Sequence, residues 1–166
     1  ENTQPYVGKV RTVTDIGYQH LLMTASDRLS SFDRHICEIK NKGTILNRLS
    51  EWWFRNTSQI MRNHFVSSTG EHMFVRKAEV VPIEFVVRGY MTGSTSTSIW
   101  PMYQSGRREM YGITFRDGYV KNQQLDQIIL TPTTKGVTDE PITREQIIER
   151  GILTEEHYDF LEQKSI

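Results

Sequence analysis

Apolar and polar residues at the start of the chain are arranged in a pattern that predicts a β-hairpin. From Tyr6 to Val13, apolar positions are interleaved with glycine and cationic residues. The segment Asp15–Gly17 offers a turn, and an apolar run from Leu21 to Ala25 follows it. Two short apolar runs joined by a turn are typical of paired antiparallel strands.

A longer stretch downstream has apolar residues at spacings of three and four, with charged residues between them. These apolar residues are Ile45, Leu49, Trp52, Trp53, Ile60, Met61 and Phe65. The spacing matches the helical period of about 3.6 residues and predicts an amphipathic helix through this region. We expect its two tryptophans to pack on a sheet.

The pattern changes to alternation between Val81 and Arg88, which predicts a strand. After Gly93 the periodicity weakens, and Pro101 interrupts a short helical pattern. Asp117-Gly118 suits a type I′ hairpin turn and a functional loop equally well.

Two helices are predicted near the end of the chain. The segment Thr143–Arg150 begins with capping-box spacing and is followed by Gly151, which suits the position after a helix. Thr154 suits the N-cap of a second helix that runs to Ile166 without a terminating glycine or proline. This ending, and a first residue other than Met, favour a fragment of a longer protein.

Composition and charge limit the kinds of protein that this chain can be. The 166 residues are 37% hydrophobic and 24% charged, which fits one domain or two small lobes rather than a disordered chain. Because no segment resembles a bilayer span or a leader, we expect a cytoplasmic protein without membrane contacts. Lys plus Arg and Asp plus Glu number 20 each, so no overall field favours nucleic acid as a partner.

Cysteine and histidine usage does not favour a metal or thiol site. The single Cys37 and the five histidines show no metal-ligand spacing, so a zinc site is not expected. Cys37 also lacks a flanking catalytic signature. We therefore expect it to be a buried or half-buried structural thiol.

Four segments carry residue types that bind anions. Gly8–Arg11 puts a permissive glycine and two cations on the first hairpin, where they suit a triphosphate, although a solvated basic edge has the same composition. The loop Ser26–Asp33 places two carboxylates, a guanidinium and three hydroxyls after a strand. Such loops bind ligands, and they also form local turns and ion pairs.

The other two segments follow the predicted strand that ends at Arg88. Arg88–Ser94 contains two glycines and ends in hydroxyl residues, so its backbone N–H groups and the Arg88 fork suit a phosphate or carboxylate. An ordinary Gly/Ser loop is the alternative. Thr131–Lys135 is a hydroxyl-rich turn whose cation either balances a ligand charge or lies on the surface.

Five segments together resemble the SAICAR synthetase family across nearly the whole chain. They are GKVRTVTDIG at 8–17, SDRLSSFD at 26–33, KGTILNRLSEWWF at 42–54, AEVVPIEFVVRGYMTGS at 78–94 and LTPTTKG at 130–136. The resemblance implies a two-lobed α+β fold with a kinase-like ATP cleft and an antiparallel front sheet with helices. It implies an N-terminal nucleotide-binding lobe at 1–87 and the start of a second lobe at 88–166.

The resemblance also implies a reaction. The family joins L-aspartate to 5-amino-1-(5-phosphoribosyl)imidazole-4-carboxylate, a ribotide of purine biosynthesis, and releases ADP and phosphate. ATP, used with Mg²⁺, activates the ribotide carboxylate as an acyl phosphate. Catalysis of this kind depends mostly on positioning and on neutralising charge, which is consistent with loops of cations, hydroxyls and backbone N–H groups.

The resemblance assigns roles to individual residues. The residues implied at ATP are Gly8, Lys9, Arg11, Lys77, Glu79 and Val81. Those implied in the substrate pocket are Asp27, Arg28, Ser30 and Asp33. Those implied at the reacting anions, as catalytic residues, are Arg88, Ser94 and Lys135.

Later segments of the family, which contribute magnesium contacts, have no counterpart before Ile166. Metal ligands are therefore expected beyond this chain, and the chain alone is expected to be inactive. The expected partners are the small-molecule substrates, and a homo-oligomer is compatible with the sequence. An alternative hypothesis is a non-catalytic nucleotide-binding module derived from this family, because its binding loops would look the same.

Overall fold

Antiparallel strand pairing runs through the chain and confirms the predicted α+β class. The computed structural model describes residues 4–31, 34–136 and 139–166. Within these ranges, every strand pair is antiparallel. The chain divides into unit 1, Glu1–Glu79, and unit 2, Val80–Ile166. The lobe boundary expected between residues 87 and 88 falls inside unit 2.

Unit 1 is built on one five-stranded sheet. Its elements are β1 (Tyr6–Val7), β2 (Arg11–Gly17), β3 (His20–Ala25), β4 (Arg28–Ser31), β5 (Arg34–Glu38), α1 (Lys42–Asn56), β6 (Phe65–Thr69) and β7 (His72–Arg76). The sheet order is β1-β2-β3-β7-β6, and β4 and β5 form a separate two-stranded ribbon. Helix α1 packs against β3, β6 and β7.

The predicted hairpin is confirmed in part as β2 and β3. Its first strand, predicted over Tyr6–Val13, is instead divided between β1 and β2, which pair with each other. The turn between β2 and β3 also lies further along the chain than predicted. Tyr18 and Gln19 form the turn, with φ angles of 50° and 63°. Left-handed residues suit two-residue hairpin turns because their twist matches that of the strands. The segment Asp15–Gly17, predicted to turn, stays in β2. There the Asp15 carboxylate accepts a hydrogen bond from Gly17 N–H at 2.9 Å, and the pairing register shifts.

Helix α1 is shorter than its apolar repeat predicts. It ends at Asn56, and Phe65 begins β6. The side chains of Asn56, Thr57 and Asn63 donate hydrogen bonds to backbone carbonyls near the end of the helix. These local bonds compete with helix continuation, which explains the early end.

The prediction that the two tryptophans pack on the sheet is wrong. Trp52 and Trp53 are each 54% exposed, and their rings meet edge to face with centroids 4.8 Å apart. Phe54 makes the aromatic contact with the sheet by stacking on Phe65 at 6.1 Å. The expectation failed because the buried positions of α1 are Gly43 and Asn47, so the face that meets the sheet is not the one that carries the tryptophans.

Unit 2 contains three short strand pairs and three helices among its described residues. Its elements are β8 (Ile83–Glu84), β9 (Val87–Tyr90), α2 (Ile99–Gln104), β10 (Glu109–Met110), β11 (Ile113–Thr114), β12 (Gln124–Leu130), β13 (Thr133–Thr134), α3 (Arg144–Glu149) and α4 (Glu155–Ser165). The pairs are β8 with β13, β9 with β12, and β10 with β11.

Two hydrophobic cores in unit 2 share strand β12. The first core contains Met91, Ile99, Met102, Tyr103, Met110, Phe115, Tyr119, Leu125 and Ile129. The second core contains Ile83, Leu130, Ile142, Ile147 and Tyr158. Ile129 and Leu130 are neighbours that belong to different cores, because successive side chains of a strand point to opposite faces.

Two predictions for unit 2 are corrected, and one alternative that the sequence left open is decided. The strand predicted from Val81 to Arg88 is split into β8 and β9, which pair with different strands. Pro101 does not interrupt a helix, because it lies in the first turn of α2, where its missing N–H is tolerated. Asp117 and Gly118 lie in a loop between β11 and β12 rather than in a type I′ hairpin, since of the two only Gly118 has a positive φ, 88°.

The last two helices confirm their predictions. Thr143 and Gln146 form a capping box at the start of α3, and Gly151 follows that helix with a φ of 65°. Thr154 caps α4 by accepting a hydrogen bond from His157 N–H. No helix in the described ranges is both long and apolar enough to cross a membrane.

The predicted burial of Cys37 is wrong. Cys37 lies on β5, and every residue of that strand is exposed. The two-stranded ribbon of β4 and β5 is separate from the five-stranded sheet, so Cys37 is not covered by that sheet's packing.

Candidate functional site

The turn Gly8–Arg11, called here the Gly8 turn, is held by its own backbone and by Arg28. Gly8 N–H donates to the Arg11 carbonyl at 2.8 Å, and Arg28 Nη2 donates to the Gly8 carbonyl at 2.8 Å. A Cβ on Gly8 would lie 3.0 Å from the Arg11 oxygen, so this close turn favours glycine. Lys9 within the turn is exposed. The structure therefore brings predicted ATP residues and a predicted pocket residue together.

Asp27 caps helix α1 from the loop that follows β3. Its carboxylate oxygens accept hydrogen bonds from the backbone N–H groups of Asn41 at 3.1 Å and Gly43 at 2.8 Å. A carboxylate here satisfies donors that have no partner within the helix and complements the helix dipole. Lys42 Nζ donates to the Arg28 carbonyl at 2.9 Å. The loop is therefore fastened both to α1 and to the Gly8 turn.

A polar cavity of about 350 Å³ lies beside this cap. Its lining includes the carboxylates of Asp27 and Glu71 and the hydroxyls of Thr24 and Thr44. Carboxylates repel a bound anion and attract hydrogen-bond donors. The cavity by itself therefore suits an amine or hydroxyl group better than a phosphate.

Arg11 is directed toward α1. Its Nη2 donates to Ser50 Oγ at 3.1 Å. Burial and the nearby Arg11 charge both lower the pKa of His64, whose ring lies against Phe54 with centroids 5.2 Å apart. Both effects favour the neutral imidazole of His64.

Lys77 is held by Asp15 at the end of unit 1. Lys77 Nζ lies 2.5 Å from Asp15 Oδ2, and this bond, followed by the one from Gly17 N–H, lowers the pKa of Asp15. Glu79 is exposed, and Val81 packs against the second core of unit 2. Lys77, Glu79 and Val81, three of the residues implied at ATP, therefore lie in the segment where unit 1 ends and unit 2 begins.

The predicted pocket residue Ser30 takes part in strand pairing but not through its side chain. Ser30 is exposed on β4, and its side chain forms no hydrogen bond with the described residues. Asp33 lies outside the described residues. Of the four predicted pocket residues, Asp27 and Arg28 therefore make the side-chain contacts found in the described part of the chain.

Arg88 is anchored by a buried threonine. It is half-buried on β9, and its Nε donates to Thr131 Oγ1 at 2.9 Å. Thr131 is fully buried, and its backbone N–H donates to the Val86 carbonyl at 2.9 Å. Among the described residues, Arg88 has no carboxylate partner and its terminal nitrogens form no hydrogen bond. One edge of the guanidinium is thus fixed while the other is available for an anion.

Ser94 lies in an exposed loop whose shape depends on Gly93. Gly93 has a φ of 119°, and a Cβ added to it would lie 2.1 Å from the Cβ of Ser98, so glycine is required. The hydroxyls of Thr95 and Ser98 are hydrogen-bonded to each other at 2.7 Å. The Ser94 side chain forms no hydrogen bond with the described part of the chain.

Lys135 is brought beside Glu84 by the pairing of β13 with β8. Its Nζ lies 2.6 Å from Glu84 Oε2 and 3.3 Å from Asp139 Oδ2. Glu84 first, and then Asp139, raise the pKa of Lys135. Two carboxylates around one ammonium leave a negative local charge. Lys135 must therefore exchange a partner before it can bind a substrate anion.

The structure adds residues that the sequence analysis did not assign to a site. Thr131 anchors Arg88, Glu84 binds Lys135, and Tyr111 lines two cavities of unit 2. Thr131 and Glu84 lie inside segments that resemble the family, at 130–136 and 78–94. The pair Tyr111-Gly112 between short apolar runs is a turn signal. Within the described ranges, no three His, Cys, Asp or Glu side chains are grouped to hold a metal ion.

The chain is similar to known proteins over nearly its full length. The family model described as SAICAR synthetase matches residues 4–166. The phosphoribosylaminoimidazole-succinocarboxamide synthase of Legionella pneumophila strain Lens is 47% identical over 93% of this chain and 50% of that protein. The chloroplastic synthase of Vigna aconitifolia is 45% identical over 96% of this chain and 47% of that protein.

A solved structure shares the fold as well. The SAICAR synthase from Saccharomyces cerevisiae, complexed with SAICAR, matches with a TM-score of 0.83 and 28% identity, over 96% of this chain and 58% of that chain. The chain spans about half the length of the curated relatives it matches. Since the family model covers both units, including the Gly8 turn and the Arg88 anchor, the chain belongs to the SAICAR synthetase family.

Proposed function

We propose that the protein is an ATP-dependent ligase that joins L-aspartate to 5-amino-1-(5-phosphoribosyl)imidazole-4-carboxylate. Membership of a family of purine-biosynthesis ligases supports this reaction class. The yeast relative was solved with SAICAR, the succinocarboxamide that such a reaction forms. The arrangement of cations in unit 2 adds support from this chain itself.

The proposal rests on one observation, the half-buried guanidinium of Arg88 without a carboxylate partner among the described residues. Of the other arginines of unit 2, Arg108, Arg116 and Arg144 each pair with at least one carboxylate. Arg107 and Arg150 have no carboxylate partner among the described residues, but both are exposed. Arg88 is half-buried and has no such partner among the described residues, although a buried charge is costly unless it is paired. A substrate phosphate or carboxylate would supply the missing charge through paired N–H···O bonds.

The chemistry of the reaction explains why a positioned cation matters. A carboxylate oxygen of the ribotide attacks the γ-phosphorus of ATP, ADP leaves, and an acyl phosphate forms. The aspartate amine then attacks the acyl carbon, phosphate leaves, and the amine loses a proton. Each step brings anions together, so cations that hold them in place lower the barrier without a covalent enzyme nucleophile.

The remaining site residues are assigned from the family resemblance. The residues that we assign to ATP are Gly8, Lys9, Arg11, Lys77, Glu79 and Val81. Those assigned to the substrate pocket and the reacting anions are Asp27, Arg28, Ser30, Asp33, Ser94 and Lys135. The Gly8 turn supports the first assignment, because a rigid turn with an exposed lysine suits contact with phosphates. The double pairing of Lys135 predicts that it acts only after a carboxylate has been displaced.

The test is ADP release by the protein at its full natural length, with ATP, Mg²⁺, the ribotide and aspartate, and with each component omitted in turn. We expect release to require all components. Arg88→Met should lower kcat/KM by about 100-fold or more, as loss of a charge-stabilising group does. Arg150→Met, which removes an exposed arginine of the same unit, is the matched control and should leave it unchanged. ATP binding without turnover would instead favour a non-catalytic nucleotide-binding module.

A further inference from the structure

The side chain of Arg28 is hydrogen-bonded within unit 1. It is half-buried, its Nη2 donates to the Gly8 carbonyl at 2.8 Å, and its Nε donates to Ser26 Oγ at 3.2 Å. Two of its three guanidinium nitrogens are thus used by the protein itself. The edge of the fork that could grip a planar anion through paired N–H···O bonds is occupied by protein oxygens.

The backbone of Arg28 is held from two sides. Arg28 opens β4 and pairs with Glu38 of β5, and its carbonyl accepts a hydrogen bond from Lys42 Nζ at 2.9 Å. The preceding residue, Asp27, caps α1 through Gly43 N–H. Because a strand and a helix already restrict this backbone, little conformational entropy remains to be lost when the side chain fixes a partner.

The partner of Arg28 is the peptide group between Gly8 and Lys9. A peptide group is planar, so a carbonyl directed at Arg28 fixes the orientation of the whole group and the point from which the exposed Lys9 side chain leaves the turn. The loop adds a second bond to the same turn, since Ser26 N–H donates to the Val10 carbonyl at 2.8 Å. The shape of the Gly8 turn therefore depends on residues outside it.

The bond from Arg28 to the Gly8 turn contributes charge as well as direction. A guanidinium stays protonated at ordinary pH, so it holds a carbonyl more strongly than a neutral donor would. Its positive charge lies within hydrogen-bonding distance of the turn. A fixed turn with a cation beside it suits an anion with several oxygens, such as a triphosphate.

We propose that Arg28 is a positioning residue for ATP, which holds the Gly8 turn in the conformation that contacts the triphosphate. The inference rests on the proposed function, because that function assigns the Gly8 turn to ATP. It changes the role that the family resemblance implies for Arg28, which is contact with the ribotide. Arg28 acts on the nucleotide through the Gly8 carbonyl, so its loss weakens ATP binding selectively.

The test compares Arg28→Met with Arg62→Met in the protein at its full natural length. Arg62 is an exposed arginine of unit 1 whose side chain forms no hydrogen bond with the described residues. Calorimetric titration, well below the Tm of each variant, measures the Kd for ATP with Mg²⁺ and the Kd for the ribotide. We expect Arg28→Met to raise the Kd for ATP about tenfold, the effect of losing one hydrogen bond to a charged group, and to leave the Kd for the ribotide within about twofold of the native value. Arg62→Met should change neither.

Hydrogen exchange of individual backbone amides, followed by NMR, tests whether the effect passes through the turn. In Arg28→Met, the amides of Gly8 and Ser26 should exchange about tenfold faster, because the turn that holds both of them opens more often. The Gly43 amide is bonded to Asp27 and not to Arg28, so it should keep its native exchange rate and serves as the internal reference.

Three results would overturn the inference. Native affinity for ATP in Arg28→Met, even with a lower Tm, would mean that Arg28 only stabilises the fold. A weaker affinity for the ribotide would mean that Arg28 contacts that substrate. Weaker ATP binding with native exchange at Gly8 and Ser26 would mean that Arg28 contacts ATP directly.

Failure of the proposed function gives a different result. If the native protein binds ATP but forms no product, the ligase function is wrong, and the two Kd values still decide the role of Arg28. If the native protein binds no ATP, both the proposed function and the inference are wrong.

Discussion

Asp27 Oδ1 accepts a hydrogen bond from Gly43 N–H at 2.8 Å, and this bond joins the polar loop after β3 to the first turn of α1. Arg28, the next residue, donates to the carbonyl of Gly8, which lies earlier in the chain. Two residues that the family resemblance places in a substrate pocket thus also hold secondary structure together. Substitutions here should change the free energy of unfolding, whatever they do to binding.

Removal of the Asp27 carboxylate should destabilise the protein. We expect Asp27→Ala to lower the free energy of unfolding by about 1 kcal/mol, the usual effect of losing a helix cap, and Asp27→Asn to lower it less because one acceptor oxygen is kept. Ser30→Ala, at an exposed position of the same segment, should change it by less than about 0.5 kcal/mol. Urea unfolding measures all three. Native stability in Asp27→Ala would contradict the capping role.

Gly43→Ala should be destabilising although alanine favours helices. A Cβ at Gly43 would lie 2.5 Å from the Ala25 carbonyl oxygen, so the helix and β3 would have to separate. Overpacking of this kind costs about 1–3 kcal/mol. Gly89→Ala is the control, because a Cβ there would meet no atom within 4 Å. Thermal unfolding should show a lower Tm for the first variant only.

Asn47 should be far more important to stability than Asn56. Asn47 is 2% exposed, and its Nδ2 donates to the carbonyls of Gly70 at 2.8 Å and His72 at 3.0 Å. Asn47→Ala removes two hydrogen bonds made by a buried amide, and we expect a loss of about 2 kcal/mol in denaturant unfolding. Asn56→Ala removes one exposed bond to the helix backbone and should cost less than about 1 kcal/mol. Equal losses would show that burial of the amide does not matter.

The tryptophans of α1 should be replaceable. Trp52→Gln and Trp53→Gln each remove a side chain that is 54% exposed, so each should shift the free energy of unfolding by less than about 0.5 kcal/mol. Phe54→Ala should cost at least about 1 kcal/mol, because Phe54 stacks on Phe65 of the sheet. Acrylamide should quench the fluorescence of the native protein strongly. Protection from acrylamide would show that the tryptophans are covered.

The Asp15–Lys77 pair should give a stability difference that depends on pH. The folded pKa of Asp15 is lowered by the Lys77 bond, and then by the Gly17 N–H, below its ordinary value of 3.8. A lowered carboxyl pKa contributes stability that is fully present above the ordinary pKa and is lost as pH falls through the folded pKa. Asp15→Asn lacks this contribution. Its deficit in urea unfolding should thus be constant from about pH 5 to 7 and should shrink in more acidic solution.

High salt provides a control for this pH dependence. The pair is partly exposed, so added salt should weaken it and reduce the deficit of Asp15→Asn at neutral pH. A deficit that is the same at every pH and salt concentration would attribute the effect of the substitution to something other than the ion pair.

Local sequence signals predicted the elements whose stabilising contacts are themselves local. The capping box at Thr143 and the cap at Thr154 were predicted correctly because each involves residues three positions apart. The spacing of apolar residues in α1 was misleading, since Gly43 and Asn47 make the close approach to the sheet through contacts distant in sequence. Periodicity reports which face is apolar, and it does not report which face a neighbouring sheet will cover.

The candidate site likewise depends on contacts between residues that are distant in sequence. Arg88 was selected from its motif, but its anchor Thr131 lies 43 residues away and joins it only through the pairing of β9 with β12. The pairing of Lys135 with Glu84 likewise depends on β13 lying beside β8. Residue type identified the groups that can bind anions. Strand pairing determines which of them are already neutralised.

Strand β12 makes unit 2 unusually sensitive to changes in chain length. Ile129 faces one core and Leu130 the other, so one residue inserted or deleted earlier in the strand would exchange their faces. Both cores would lose their partners in a single event, and the Arg88–Ile129 register would be lost with them. Length variation among natural homologues should therefore be confined to the loops on either side, and a frame-preserving deletion scan should find β12 the least tolerant segment of the unit.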